Sequence, residues 1–370
     1  MTIADIEQFF ETWAPSWTAW ERDAIGLQVG DRERRIRRVL VALDVTREIV
    51  GEAIAKKADL IVSHHPLLFH PPSSITTGDE TGRLVLMLAE KRIGVYSAHT
   101  NLDFTRGGVS FALAEALGLH EIEFLSPLKD TLAKIAVFVP SGYVDAVAEA
   151  MRKGGAGAIG HYDSCSFRIA GTGTFRGSAS SNPFLGEKGK LETVDETRIE
   201  MIAPRANIPS IIANMKAAHP YEAVAYDVYP LQNANPDHGM GAIGNLAKPM
   251  DLRSFLKGIR VALDAEAVRY TGRLNRRVQR IAVCGGSGSD LLPNALAAHA
   301  DAFITADVKY HTFHSAGDRI ALIDAGHWET EHVILKPIAQ RLKQYSRTSG
   351  ESLEVFTTNL RTNPTHFLSS

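Results

Sequence analysis

Four short apolar runs in this chain each end in histidine, aspartate or glutamate, and no other feature constrains the fold so strongly. Ala58-Asp59-Leu60-Ile61-Val62-Ser63 runs straight into His64, His65 and Pro66. Lys91–Ser97 leads into His99 and Asp103, Asp301–Thr305 into Asp307 and His311, and Arg319–Ile323 into His327 and Glu331. Apolar runs this short, bounded by polar turns, read as strands buried on both faces. Open parallel sheets bind ligands at the carboxyl ends of such strands. Four strands that each deliver an imidazole or a carboxylate at that end therefore imply a single shared metal site.

The rest of the pattern fits an α/β protein. Ile3–Trp13 reads as an amphipathic helix, and Val39–Leu43 as a strand. Asp44–Lys57 reads as a helix capped by Thr46, with Ile49, Val50, Ala53 and Ile54 facing inward. Helices near Arg83–Lys91 and Val109–Leu117 complete an N-terminal lobe, residues 1–127. From Val278 onward the same alternation returns, with Gly285-Gly286-Ser287-Gly288-Ser289 as a turn that starts a helix or, less specifically, cradles a phosphate. Residues 247–370 thus form a C-terminal α/β lobe. Between them, residues 128–246 have a different texture, in which strand–helix–strand order occurs twice and suggests an inserted ferredoxin-like α+β domain. The two lobes would then be one discontinuous body, as a length of 370 residues favours.

Composition narrows the function classes. Forty basic against 42 acidic residues give a net charge of −2, so neither nucleic acid nor a membrane surface is indicated as a partner. The basic cluster Arg32–Arg38 reads as a solvated turn. Only Cys165 and Cys284 occur, which argues against a disulfide framework, and the N-terminus has no signal-peptide pattern. These features lead us to expect a cytoplasmic protein.

The candidate ligands are His64, His65, Asp103, His327 and Glu331. His327 and Glu331 are four apart and share one helical face. Adjacent His64 and His65 diverge, so each suits one member of an ion pair, and a carboxylate such as Glu331 can bridge two ions about 3.5–4 Å apart. Imidazole and carboxylate without thiolate suit Zn, Mn, Fe or Co better than Ca or Mg. A water on such a pair is a hydrolytic nucleophile, although iron would allow redox chemistry too. His99 and His311 are candidate acid–base residues, and Asp307 a candidate partner that orients a ligand.

These residues resemble those of the Nif-three-like dinuclear-metal family, also called GTP cyclohydrolase I type 2. The likeness rests on Gly26-Leu27-Gln28-Val29-Gly30, Ser63-His64-His65-Pro66, His99-Thr100-Asn101-Leu102-Asp103, Val283–Gly288 and Gly326-His327-Trp328-Glu329-Thr330-Glu331. In the middle segment, Gly171-Thr172-Gly173-Thr174-Phe175 and His219-Pro220-Tyr221-Glu222-Ala223 are similar to the CutA- or PII-like insertion of the family's longer members. The resemblance implies His65, Asp103 and Glu331 around one ion, with His64, His327 and Glu331 around the other. It also implies a toroidal homohexamer with insertions at the ring openings, and hydrolysis of a small molecule such as a nucleotide, GTP ring opening being the example. A metal-dependent phosphoesterase and a non-catalytic metal-binding scaffold are the alternatives. Where the family often has Trp-Asp-Asn, this chain has Arg22-Asp23-Ala24, and acidic and proline residues usual after Thr174-Phe175 are absent. Both departures bear on substrate contacts.

Overall fold

The computed structural model describes residues 1–368. The chain divides into two compact units, one made of Met1–Pro127 with Asp237–Ser370 and the other of Leu128–Pro236.

The larger unit is built on two mixed sheets. In the first, the strands run in the order Gly26–Val29, Gly94–Ser97, Leu60–Ser63, Arg38–Ala42 and Glu354–Thr357, all parallel to their neighbours except the first. Alternate residues of these strands feed separate cores. Val39, Val41, Leu60 and Val62 pack with the helices Ile3–Trp13 and Leu335–Thr348. Leu40, Ala42, Ile61 and Val95 pack with Arg47–Ala55 and Glu80–Glu90. Burial on both faces is why the runs are continuously apolar rather than alternating.

The second sheet has the order Arg269–Tyr270, Ala321–Asp324, Ala302–Thr305, Arg277–Val283, Gly239–Asp251 and Leu119–Pro127, of which Ala321–Asp324, Ala302–Thr305 and Arg277–Val283 are mutually parallel. It too separates two cores. Ile281, Ala302, Ile304 and Ile323 lie on one face, and Ala282, Phe303 and Leu322 on the other.

The two lobes expected from sequence exchange strands. Leu119–Pro127, from the N-terminal segment, pairs with Gly239–Asp251 in the second sheet. Glu354–Thr357, from the C-terminal segment, pairs with Arg38–Ala42 in the first. The expected boundary at Leu246 is corrected accordingly. It falls inside the strand Gly239–Asp251, whose ladder with Arg277–Val283 holds it in the second sheet, so the insertion ends at Pro236. The helix expected over Asp44–Lys57 is Arg47–Ala55, because the Thr46 side chain accepts from the Ile49 amide and sets its start. Ile54, expected inside, is exposed.

The smaller unit has a four-stranded antiparallel sheet in the order Phe167–Arg176, Leu191–Pro204, Leu132–Pro140, Tyr226–Leu231. Helices Val144–Lys153 and Ile208–Ala218 pack on one face through Val147, Met151, Ile211 and Met215 against Ile135, Val137, Ile199 and Met201. The order is βαββαβ, a split arrangement of two strand–helix–strand units. Among the described residues no helix is long and apolar enough to cross a membrane.

All four tryptophans (Trp13, Trp17, Trp20 and Trp328) lie in the larger unit, so their fluorescence reports its unfolding alone. Phe10 is fully buried there, its ring stacked 4.9 Å from that of Tyr96. Phe10→Ala is expected to cost that unit about 3–5 kcal/mol in urea denaturation followed by tryptophan emission. Val261→Ala, at an exposed helical position, is expected to change it by less than about 0.5 kcal/mol.

Candidate metal centre

Strand ends from both sheets converge here. His64 and His65 follow Leu60–Ser63, and the one-turn helix Thr100–Asp103 follows the neighbouring Gly94–Ser97. From the second sheet, Ala321–Asp324 leads through Ala325-Gly326 into the helix His327–Glu331. Glu331 is buried at the centre, as is His64, while His65, Asp103 and His327 are partly exposed.

The distances are those of a shared cluster. His65 Nε2 is 2.9 Å and His327 Nε2 3.1 Å from Glu331 Oε2. His64 Nε2 is 3.8 Å from Glu331 Oε1 and 3.7 Å from Asp103 Oδ1. Nearest neighbours thus group His64 with Asp103 on one carboxylate oxygen and His65 with His327 on the other. Relative to the division implied by the family resemblance, His64 and His65 change places. The ring of His99 adds a further nitrogen, within 4.8 Å of those of His64 and His65.

Each imidazole is oriented through its other nitrogen. His65 Nδ1 donates to Asp44 at 2.7 Å and His327 Nδ1 to Asp307 at 2.6 Å. His64 Nδ1 donates to the Ala98 carbonyl at 2.8 Å, and His99 Nδ1 to Asp23 at 2.8 Å. Carboxylates and carbonyls accept only, so in the neutral ring Nδ1 carries the proton and Nε2 presents its lone pair to the cluster.

A fit test comes from Glu331. Its Oε2 is buried with no hydrogen-bond partner among the described residues, although two imidazole nitrogens lie close. Donors around one ion at about 2.1 Å in tetrahedral geometry stand roughly 3.4 Å apart. Proximity without aligned hydrogen bonds is the arrangement expected of ligands to a common cation. Divalent ions fit these residues.

Without a cation, protons supply the positive charge. Burial alone would lower the His65 imidazole, but Asp44 and Glu331 outweigh it and raise it to about 10. His327 rises to about 9 for the same reason, with Glu331 and then Asp307 overcoming burial. Burial would raise Glu331, yet the surrounding imidazoles of His327, His64 and His65 hold it well below the usual carboxylate range. Asp103 is pushed up, by burial first, against the pull of His64. Burial would also raise Asp23, but the hydrogen bonds from His99 and Thr100 bring it down to about 2.

Of the residues expected from sequence, His64, His65, Asp103, His327, Glu331 and His99 come together, and Asp307 serves as the partner of His327. His311 does not join them. It is exposed on the helix Tyr310–Ala316, its ring against that of Tyr310, because helical periodicity turns it away from the strand end that precedes it. Three residues were not foreseen. Asp44 follows the apolar run Val39–Leu43 in the same way as the other ligands follow theirs, and that signal was readable. Asp23 stands at the Asp of the family's Trp-Asp-Asn but was assigned no role. Gly286 has φ +58, and a Cβ there would lie 2.1 Å from Glu331 Oε1, so the glycine-rich turn makes room for the central carboxylate.

Cavities open onto the cluster from more than one side. A cavity of about 110 Å³ is lined by Trp20, His99, Asp103, Cys284 and Glu331. A larger one of about 520 Å³ borders His65, Asp307 and His327 and is walled by Arg269 and the tail residues Asn363, Pro364, Thr365 and Phe367.

Comparison with known proteins gives a consistent result. The profile of the Duf34/NIF3 (NGG1p interacting factor 3) family matches residues 1–364. A protein of Halalkalibacterium halodurans named GTP cyclohydrolase 1 type 2 homolog is 40% identical over 363 residues, 98% of this chain and 97% of its own. One of the same name from Bacillus subtilis is 38% identical over 365 residues, 98% of each chain. The crystal structure of a Bacillus cereus protein related to NIF3 superposes with a TM-score of 0.87 at 38% identity, covering 100% of this chain and 99% of the other. With sequence, profile and fold agreeing along the whole length, this chain belongs to the Duf34/NIF3 family.

Proposed function

We propose that this chain is a dinuclear metal-dependent hydrolase of a small molecule, with His64, His65, Asp103, His327 and Glu331 holding two divalent ions of Zn, Mn, Fe or Co. The observation that carries the reading is the buried, unpartnered Oε2 of Glu331 among Nε2 atoms whose rings are fixed from behind. When bound, such ions supply Lewis acidity and a water acidic enough to lose its proton near neutral pH. The chain's own residues do the rest. Asp44 and Asp307 keep the His65 and His327 rings aimed, and Glu331 offers one oxygen to each group of donors. His99, aimed by Asp23, places a further nitrogen at the edge of the cluster, where it can take or give a proton.

The substrate class follows from the openings and from the relatives. A cavity of about 520 Å³ lies within the range of small-molecule sites. The name GTP cyclohydrolase 1 type 2 homolog, carried by the bacterial relatives, makes opening of the guanine ring of GTP the specific reaction we infer. A ring-shaped homohexamer in the cytoplasm, with the βαββαβ unit as a CutA- or PII-like module, belongs to the same proposal. The mass of the purified assembly tests the hexamer.

Two outcomes are expected. First, metal-free protein carries protons on His65 and His327 at neutral pH, since both rings titrate at about 9 to 10. Their stabilising effect is therefore full below about 6.5 and lost as pH rises through 9 to 10. Zinc or manganese must displace those protons, so calorimetry in buffers of different ionisation enthalpy is expected to show release of about two protons at pH 7 and affinity rising with pH. Proton-neutral binding would contradict this donor set. Second, loaded protein incubated with GTP is expected to release formate and a triaminopyrimidine. Phosphate or nucleoside release would instead favour a phosphoesterase, and full metal content with no product would favour a scaffold. Glu331→Ala is expected to lose both ions, while His99→Ala is expected to keep them and lose about 10²- to 10⁴-fold in kcat.

A further inference from the structure

The smaller unit contains a pocket that the metal chemistry does not use. It measures about 260 Å³ and lies where the end of the strand Phe167–Arg176, the loop after it and the segment Tyr221–Ala225 meet. Two motifs from the sequence reading, Gly171–Phe175 and His219–Ala223, both run into it.

Its walls are aromatic. The Tyr221 ring lies 6.2 Å from that of Phe175 and 6.3 Å from that of Phe184, and Tyr143 packs edge-on against Phe184 at 5.6 Å. Phe184 is carried by the loop, which is fastened over the pocket where the Asn182 amide donates to Glu222 at 2.8 Å. The polar groups are of one kind. Glu196 and Glu222 line the pocket against a single exposed guanidinium, Arg176, so its charge is net negative. Among the described residues Glu196 has no ion-pair partner, and its carboxylate lies over Gly173, where a Cβ would come within 2.3 Å of Oε2. The absent side chain at Gly173 gives the carboxylate its place above the sheet. The Tyr221 hydroxyl is buried and faces the Glu196 carboxylate, to which it can donate while its oxygen stays open to a further donor.

Aromatic faces beside a carboxylate that no cationic side chain neutralises attract a cation with an apolar body, through the ring quadrupole and through charge-assisted hydrogen bonds. We propose that this pocket binds a small organic cation of the alkylammonium class, seated between Phe175, Phe184 and Tyr221 and neutralised by Glu196. The ammonium N–H groups donate to Glu196 and to the Tyr221 oxygen, and Glu222 holds the loop that closes the aromatic wall.

The test is calorimetric titration of the full chain with propylammonium and tetramethylammonium chloride, with tert-butanol as the neutral isostere of the latter. Both cations are expected to bind and tert-butanol to bind at least about 10-fold more weakly, with affinities unchanged by a metal chelator. Glu196→Gln is expected to weaken both cations about 10-fold or more. Tyr221→Phe is expected to weaken propylammonium alone, because tetramethylammonium has no N–H to donate. Circular dichroism and unfolding midpoints establish that each variant is folded. Equal binding of tert-butanol, abolition by the chelator, undiminished affinity in folded Glu196→Gln, or no binding of either cation would each overturn the proposal.

Discussion

Everything at the candidate metal centre depends on how its imidazoles are held from behind. Each of the four rings spends Nδ1 on a fixed acceptor: Asp44, Asp307, Asp23 or the Ala98 carbonyl. A ring tied at one nitrogen has lost both its tautomeric choice and most of its rotation. What remains is a set of Nε2 atoms presented to one buried carboxylate. Glu331 is therefore less a partner of any one histidine than the point on which all the fixed rings are aimed.

That aim requires two sheets to act as one frame. His64 and His65 belong to one sheet and Glu331 to the helix after a strand of the other. The exchange of Leu119–Pro127 and Glu354–Thr357 between segments ties the two together, since each half of the chain lends a strand to the other's sheet. The Gly285-Gly286 turn then decides how near the second sheet brings its loop to Glu331. With φ +58 and a Cβ position 2.1 Å from the carboxylate, Gly286 is placed where any side chain would push the central ligand aside. Frame and turn are both consequences of where strands end.

The legible part of the site followed from the same rule. His64, His65, Asp103, His327 and Glu331 lie within a few residues of a buried strand's end, so local sequence was enough to place them together. The residues that support them were less visible. His65 and Asp44 are 21 positions apart and His99 and Asp23 are 76 apart, and no local periodicity joins either pair. Asp44 differs from Asp23 in that it also ends an apolar run, and a stricter use of the rule would have included it. His311 shows the rule's limit, because a residue one helical turn beyond the strand can point to either side. The fold was legible as alternating strands and helices, but strand exchange was not, because it depends on which edge of which sheet is left open.

Charge explains why such a site can exist at all in a folded chain. Asp44, Asp103, Asp307, Asp23 and Glu331 place five carboxyl groups around four imidazoles, several of them shielded from water. Buried like charges repel strongly unless compensated. In the free protein the compensation is protonic, which is why His65 and His327 hold their protons to about 10 and about 9; Asp103 is pushed up chiefly by its burial, with Glu331 adding to it. Divalent ions held there would compensate the same carboxylates while leaving the imidazoles neutral. The two states would be alternative solutions to one electrostatic problem, and the second would need little rearrangement of the rings because their Nδ1 atoms are already committed. The network that makes the free protein tolerable is thus the one that preorganises it for cations.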